Sequence, residues 1–400
     1  MTNTTRRVER LVVGGGIGGL AAALALARQG LDVHVIEQAQ EFAEIGAGVQ
    51  LAPNALRTLD RLGVLEPVLD GAVKPPSAVL MNAVTGERIT SLGFGRGFQH
   101  TYAQPYIVTH RSDLLDAILA ACVEEPAITL EVGRKAVVLA ETAQGVLVTC
   151  ADGSSYEAGA LIGADGLWSA VRAYTVDDGA PAYVGDVAYR GTIPIEAASD
   201  RVGRDDMTWW IGPGVHLIQY PVRGGRLFNQ VAVFAADRSG DPAGWGAPAE
   251  LDKAFAGVSD HVAAGVRSIS RDRRWVLRDR LPVPTWTRGR ATLLGDAAHP
   301  MPQYLAQGAC QALEDAVVLA DALAAHGSDV EAAFAAYEAE RVPRTARLQV
   351  WARRMGEIVH ADGVTAMLRD ALLAQCDPAD LPQTDYLYGY EPRLSGVRAG

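Results

Sequence analysis

The 400-residue chain has little cysteine. Its four, Cys122, Cys150, Cys310 and Cys376, form no CxxC pair and no cysteine–histidine cluster at metal-ligand spacing. That pattern excludes a disulfide framework and predicts no disulfides and no metal, with a reducing cytoplasm as the expected compartment. Runs rich in lysine and arginine are also missing and the formal net charge is −11, so neither nucleic acid nor an anionic membrane is an expected partner. Isolated arginines still suffice for small anions. No apolar run reaches the roughly 18 to 20 residues that a bilayer span needs. The uncharged stretch Leu11 to Ala27, preceded by Arg6, Arg7 and Arg10, has the outline of a secretory signal. Five glycines within positions 14–19 argue against it, because they would weaken a membrane-inserting helix. Internal repeats and low-complexity tracts are absent.

What is present is a chain 49% hydrophobic and 21% charged, long enough for two domains or one large α/β unit with an insertion. "RLVVGGGIGGLAAALALARQGLDVHVIEQ" reads as strand, glycine turn, helix ended by Gly30, and strand: a βαβ unit. Leu56, Leu59, Leu62 and Leu65 recur at helical spacing, and Pro75 and Pro76 close that segment. A further helix follows "THRSDLL", with Ser112 or Asp113 as its cap, and then a β-meander over "KAVVLAETAQGVLVTCADGSSYEAGALIGAD". Between Tyr183 and Trp286, "YRGTIPI", "MTWWIGPGVHLIQYPV" and "LFNQVAVFA" predict strands parted by glycine and proline turns, a sheet suited to a substrate. The chain then returns through "RATLLGDAAHP" to helices over about residues 309–376. The tail "TDYLYGYEPR" either forms a twofold patch for a homodimer or folds back on its own core.

Gly14-x-Gly16-x-x-Gly19 follows a strand and opens a helix. Its backbone can therefore approach a pyrophosphate where unpaired N–H groups attract anions. Glu37, 23 residues beyond Gly14, is placed to accept hydrogen bonds from ribose hydroxyls. Together they predict a dinucleotide without deciding which, since a nicotinamide dehydrogenase also needs one such fingerprint. Two later segments narrow the choice. "LIGADGLWSAVR" carries Asp165-Gly166 and Arg172, and "LLGDAAHP" carries Gly295-Asp296. In this order, and over nearly the whole chain, the trio resembles the single-component FAD-dependent aromatic hydroxylases.

The resemblance implies an α/β fold: a Rossmann-like FAD-binding domain over residues 1–180 and 288–345, a substrate-binding sheet domain over 181–287, and a helical C-terminal segment over 346–400. It implies FAD as cofactor and NADH, or NADPH, as co-substrate; with no second fingerprint, the reductant would dock transiently across the cleft. By the same resemblance Asp296 binds the ribityl chain, and Asp165 lies where the pyrophosphate and the nicotinamide are handled. Ala47 and Gly48 of "EIGAGVQLAPNAL" lay backbone against the pyrimidine side of the ring, and Arg111 of "THRSDL" contacts FAD. Met301 to Gln307 would pass the isoalloxazine edge. Gly308 and Ala309 would then offer helix-start N–H groups to the negative charge that develops on reduction. In that helix Leu313, Val317, Ala320 and Leu323 form the expected core stripe, and Glu314 and Asp315 read as first-turn charges. His110 and His299 read as structural.

"HPMPQYLAQGA" departs from the Pro-x-x-Gly-Gln-Gly that many relatives carry beside the flavin. With "QPYIVTHRSDL", "VAYRGTIP", "GVHLIQYPVRGG" and "NQVAVF", it resembles a subgroup acting on a hydroxybenzoate. The implied reaction is hydroxylation of 3-hydroxybenzoate to 2,5-dihydroxybenzoate with NADH and O2. His216 matches the subgroup's base, a role suited to a side chain that titrates near neutral pH. Gln303 matches the partner of the ring hydroxyl, and Tyr106 and Tyr220 match tyrosines that orient carboxylate and ring. Salicylate and 6-hydroxynicotinate are the alternative substrates. A flavin reductase or halogenase, and a non-catalytic FAD-fold binding protein, are the alternatives of other classes.

Overall fold

In the computed structural model, residues 5–43, 46–198, 205–236, 248–377 and 382–392 are described. Branched apolar runs form the strands, in chain order β1 (Arg6–Val13), β2 (Val33–Ile36), β3 (Gly48–Leu51), β4 (Ser77–Asn82), β5 (Arg88–Gly93), β6 (Ile107–His110), β7 (Ile128–Glu131) and β8 (Ala136–Thr142). After them come β9 (Gly145–Cys150), β10 (Ser155–Gly163), β11 (Ala182–Pro194), β12 (Met207–Gly212), β13 (Val215–Val222), β14 (Leu227–Ala235), β15 (Trp275–Asp279) and β16 (Ala291–Leu293).

The first sheet runs β7-β2-β1-β10-β9-β8, with β16 also paired to β10. β7, β2, β1, β10 and β16 are mutually parallel. Val13 is level with Ile36 and Gly163, and Gly163 with Leu293. The three sequence motifs therefore emerge side by side from the carboxyl ends of adjacent parallel strands, where open α/β sheets receive ligands. The helix Ile17–Arg28 packs between this sheet and the helix Gly308–His326, its side chains from Leu20 to Leu26 fully buried. β2 is buried along its whole length, the pattern of a central parallel strand rather than a half-exposed one.

The second sheet runs β15-β11-β14-β13-β12-β4-β5. Two of its strands, β4 and β5, come from residues 77–93, inside the segment assigned by sequence to the nucleotide part. β4 joins through a parallel pairing with β12, Ala78 level with Met207, and a contact so far apart in sequence leaves no local signal. The long helix Val330–Val359 runs unbroken through the expected boundary at residue 345. The single helix expected over Leu56 to Leu65 is two, Pro53–Arg61 and Leu65–Asp70, parted at Gly63, whose φ of +73° suits glycine. Neither Ser112 nor Asp113 caps the next helix. It begins at Arg111, and the Ser112 hydroxyl lies 2.7 Å from His110 Nδ1 instead. No described helix is long and apolar enough to cross a membrane, and the described residues include no His/Cys/Asp/Glu cluster able to hold a metal.

Glu314 and Asp315 are not solvated first-turn charges. Both are fully buried, as is Arg341. Arg341 donates to Asp315 Oδ1 at 2.7 Å and to Glu314 Oε2 at 2.5 Å, and Arg344 donates to both Glu314 oxygens at 2.7 and 2.8 Å. Asp315 Oδ2 also accepts the Gly295 N–H at 3.0 Å and lies 2.5 Å from His299 Nε2, which gives His299 its structural role. Burial would push the Asp315 carboxyl up, but His299 and Arg341 outweigh it and hold it down at about 2. A depressed carboxylate stabilises the fold above its unfolded value of about 4 and loses that contribution as pH falls through its folded value. Urea unfolding of Asp315→Asn should show a flatter stability profile than the parent between pH 4 and about 2. At pH 7 the variant should be less stable by about 3 kcal/mol, since it leaves Arg341 under-compensated.

Candidate active site

The glycine turn is shaped by how closely chain segments meet. A Cβ on Gly14, whose φ is +110°, would lie 2.3 Å from the Ala164 carbonyl oxygen, and one on Gly19 would lie 1.9 Å from the Gly14 oxygen. Only glycine lets β1, the following helix and the end of β10 converge there. Glu37 accepts the Gly15 N–H at 2.7 Å and the Ala39 N–H at 2.8 Å. It thus braces the turn with its carboxylate, a duty that sequence spacing alone does not reveal.

In front of this turn lies a cavity of about 340 Å³, walled by Gly16, Ile17 and Gly18, by Ala47, Gly48 and Gln50, by Arg111, Arg190 and Tyr220, and by Gly295, Asp296, Gly308 and Ala309. Two helices start on it. Neither carries a side-chain cap or an acidic residue in its first turn, so their leading N–H groups face the cavity as anion donors. Asp296 sits in the 3-10 turn Gly295–Ala297, exposed between buried neighbours. Behind it, Asp315 fixes the Gly295 amide. Ala306 holds a left-handed φ of 52° at the same wall, strain that packing must sustain and that brings backbone rather than side chain to the cavity. Ala47 accepts the Arg111 N–H at 3.0 Å, and the Gly48 N–H donates to Asn229 Oδ1 at 2.7 Å. A Cβ on Gly48 would come within 2.4 Å of the Tyr220 ring. Glu44 and Ile45, at the head of that loop, lie outside the described residues.

Asp165 is turned elsewhere. Its Oδ2 accepts the Ala170 and Val171 N–H groups at 2.7 and 3.2 Å, and its Oδ1 accepts the Ser169 hydroxyl at 2.5 Å. The carboxylate caps the helix Ala170–Thr175, and only its neighbours Ala164 and Gly166 reach the cavity. Burial raises its carboxyl, opposed by those hydrogen bonds.

A second cavity of about 320 Å³ adjoins the first, and the two share Gln50, Ile218, Gln303 and Ala306 as wall. Its remaining lining is mainly apolar, from Leu80, Leu92, Phe94, Trp209, Ile211, Met355 and Tyr388 among others. Tyr106 lines it, stacked 4.4 Å from Phe94, its hydroxyl donating to Gln50 Oε1 at 2.8 Å. Tyr220 lines the first cavity instead. Burial pushes both phenols up, so both stay protonated.

His216 is not a wall residue of either cavity. It shares the β13 face of Ile218 and Tyr220, and its ring packs against Tyr304 and Trp209, both walls of the second cavity, at 5.3 and 6.0 Å between centroids. It is fully buried, and burial together with His360 lowers its pKa well below the ordinary value. Its Nδ1 lies 2.8 Å from His360 Nε2. Three buried nitrogens around this cavity, His216 Nε2, Trp209 Nε1 and Gln303 Nε2, have no hydrogen-bond partner among the described residues. Such unpaired donors and acceptors are costly unless a ligand meets them.

Trp209, Tyr304, Tyr388 and His360 were not singled out from sequence. The alternation of β12 could have pointed to Trp209. The aromatic tail folds back: Tyr388 packs 5.7 Å from Tyr102 and 5.9 Å from Tyr106, and Arg57 donates to the Tyr388 and Tyr390 carbonyls.

The glycine cradle, two uncapped helix starts, an exposed carboxylate and two arginines fit an anionic dinucleotide carrying a polyol and a flat ring. Comparison with known proteins agrees. The FAD binding domain family matches residues 7–352. The 3-hydroxybenzoate 6-hydroxylase of Klebsiella oxytoca is 40% identical over 390 residues, 96% of this chain and 97% of the relative. That of Polaromonas naphthalenivorans is 38% identical over 395 residues, 98% of each chain. Among solved structures, HpxO of Klebsiella pneumoniae, complexed with FAD and uric acid, superposes with a TM-score of 0.81 at 28% identity, covering 93% of this chain and 94% of that one. With its motifs gathered on one sheet edge and these likenesses spanning nearly its full length, the chain belongs to the FAD binding domain family, among its NAD(P)H-dependent flavoprotein aromatic hydroxylases.

Proposed function

We propose that this protein hydroxylates 3-hydroxybenzoate to 2,5-dihydroxybenzoate, consuming NADH, a proton and O2 and releasing NAD⁺ and water. The observation that carries this reading is the pair of cavities meeting at Gln303, one lined by the glycine cradle, helix starts and arginines that suit FAD and one lined mainly by apolar side chains that suit an aromatic ring. The activity of the two hydroxylases supports the choice of substrate. When bound, FAD accepts hydride from the nicotinamide and, with O2, supplies an electrophilic oxygen.

The protein's own residues then do the following. Asp296 holds the ribityl hydroxyls, and Glu37 keeps the glycine turn in shape beside the ribose. The Gly308 and Ala309 amides would stabilise negative charge on the reduced ring, the Ala47 and Gly48 backbone would lie against its pyrimidine side, and Arg111 would contact FAD. Asp165 keeps the neighbouring helix start in place through its cap. Gln303 meets the substrate hydroxyl with its unpaired amide, while Tyr106 and Tyr220 orient the acid. His216, neutral at pH 7, withdraws the hydroxyl proton and so makes the ring electron-rich at the para position.

Wild-type protein given 2-, 3- and 4-hydroxybenzoate should consume NADH fastest with the 3-isomer and yield 2,5-dihydroxybenzoate by chromatography; faster product formation from salicylate or 6-hydroxynicotinate would reassign the substrate. His216→Ala should retain its flavin and lose turnover by about 100-fold or more; unchanged, well-coupled turnover removes the base role. Asp296→Ala should bind FAD roughly 10- to 100-fold more weakly in a fluorescence titration, the loss expected for hydrogen bonds to a charged group.

A further inference from the structure

We propose that His360 and Asp186 are positioning residues that, through His216, carry the substrate's hydroxyl proton from the apolar cavity toward solvent; this rests on the aromatic-acid reading above. Four side chains from four elements meet there. His216 on β13 lies 2.8 Å from His360, the residue that ends the helix Val330–Val359. Nδ1 of His360 lies 3.7 Å from Asp186 Oδ1 on β11. The Tyr304 hydroxyl, from the turn that walls the cavity, donates to Asp186 Oδ2 at 2.5 Å. Exposure rises along the row, from none at His216 to 12% and 14% for the His360 and Asp186 side chains.

The carboxylate sets the tautomers. At 3.7 Å the Asp186 carboxylate favours a proton on His360 Nδ1 by its charge, without a hydrogen bond, which leaves Nε2 to accept. His216 must then donate from Nδ1, which leaves a lone pair on its Nε2, the buried atom without a partner. An isolated imidazole this deeply buried is a poor place for positive charge. When Nε2 takes the hydroxyl proton, the substrate O–H bond breaks and an N–H bond forms. The Nδ1 proton then passes to His360 Nε2, and the charge comes to rest beside the Asp186 carboxylate. No electrons are exchanged, and the proton leaves from the outer end. The titratable groups facing His216 are His360 and Tyr304. Those facing His360 are His216, Asp186 and Tyr304, and Arg369 of the next helix holds the Ile358 and Val359 carbonyls beside it at 3.0 and 3.2 Å.

The test mixes flavin-loaded protein with 3-hydroxybenzoate in weak buffer, without NADH, and follows proton release with an indicator dye. Asp186→Asn and His360→Asn, each accepted for study when its flavin absorbance equals the parent's, should release the proton about tenfold or more slowly at pH 7. Substrate affinity should stay within about threefold, and release should recover near pH 9 as the phenol approaches its own pKa of about 10. Asp186→Glu, which keeps the charge, should restore the parent rate. Parent-like release in both the Asp186→Asn and His360→Asn proteins overturns the relay while leaving the function standing. A parent enzyme that forms no 2,5-dihydroxybenzoate overturns the function and the relay together.

Discussion

The site depends on a buried exchange of charge between two helices. Glu314 and Asp315 at the cavity end of one helix face Arg341 and Arg344 of the next, with His299 and Asn54 completing the set. Two carboxylates meet two guanidinium groups, so the cluster carries little net charge into the interior. Its worth lies in register more than in raw stability, because buried ion pairs repay much of their attraction in lost hydration. Asp315 ties that register to function by gripping the Gly295 amide, one residue before the carboxylate assigned to the flavin's sugar chain. Tyr337, on the same long helix as the two arginines, adds a bond to the Leu293 carbonyl at the end of β16. Strand end, ligand loop and helix start are thereby one rigid body.

That rigidity explains how a loop poor in side chains can be precise. Backbone amides at Gly308 and Ala309 are useful only if their direction is fixed before charge develops, since preorganised dipoles avoid the cost of reorienting during reaction. Ala306, held at a positive φ, is the visible strain in that arrangement. On the other side of the cavity, Gly48 is pinned between the Tyr220 ring and Asn229, which joins the nucleotide edge to the substrate sheet. The two cavities share Gln50, Ile218, Gln303 and Ala306 as wall at this junction.

Much of this was legible in the chain. Glycine spacing, Glu37 at a strand end and Gly-Asp before a helix are local signals, and the strands carrying them fall where their patterns place them. Other features were set by contacts that local patterns do not record. Glu314 and Asp315 look like any acidic first turn, because their partners stand some 26 to 30 residues downstream. Asp165 looks like a cofactor ligand, yet Ser169 and two amides within six residues claim it. His216 sits on the expected face, but β13 periodicity gives a side and not the partners, which are Tyr304, Trp209 and His360.

Sequence by itself determined the parallel nucleotide-binding edge and its fitness for a dinucleotide, whereas the choice of FAD and of an aromatic acid came through resemblance to a known family. That edge and that fitness depend on short-range order: a glycine where backbone must approach closely, an acid where a strand stops, an uncapped helix start. Tertiary structure alone decided that β4 and β5 complete the substrate sheet, that the aromatic tail closes the apolar cavity, and that His216 answers to His360 and Asp186. Those contacts join residues from 129 to 283 positions apart, and no periodicity in a chain records which distant side chains will share a buried wall.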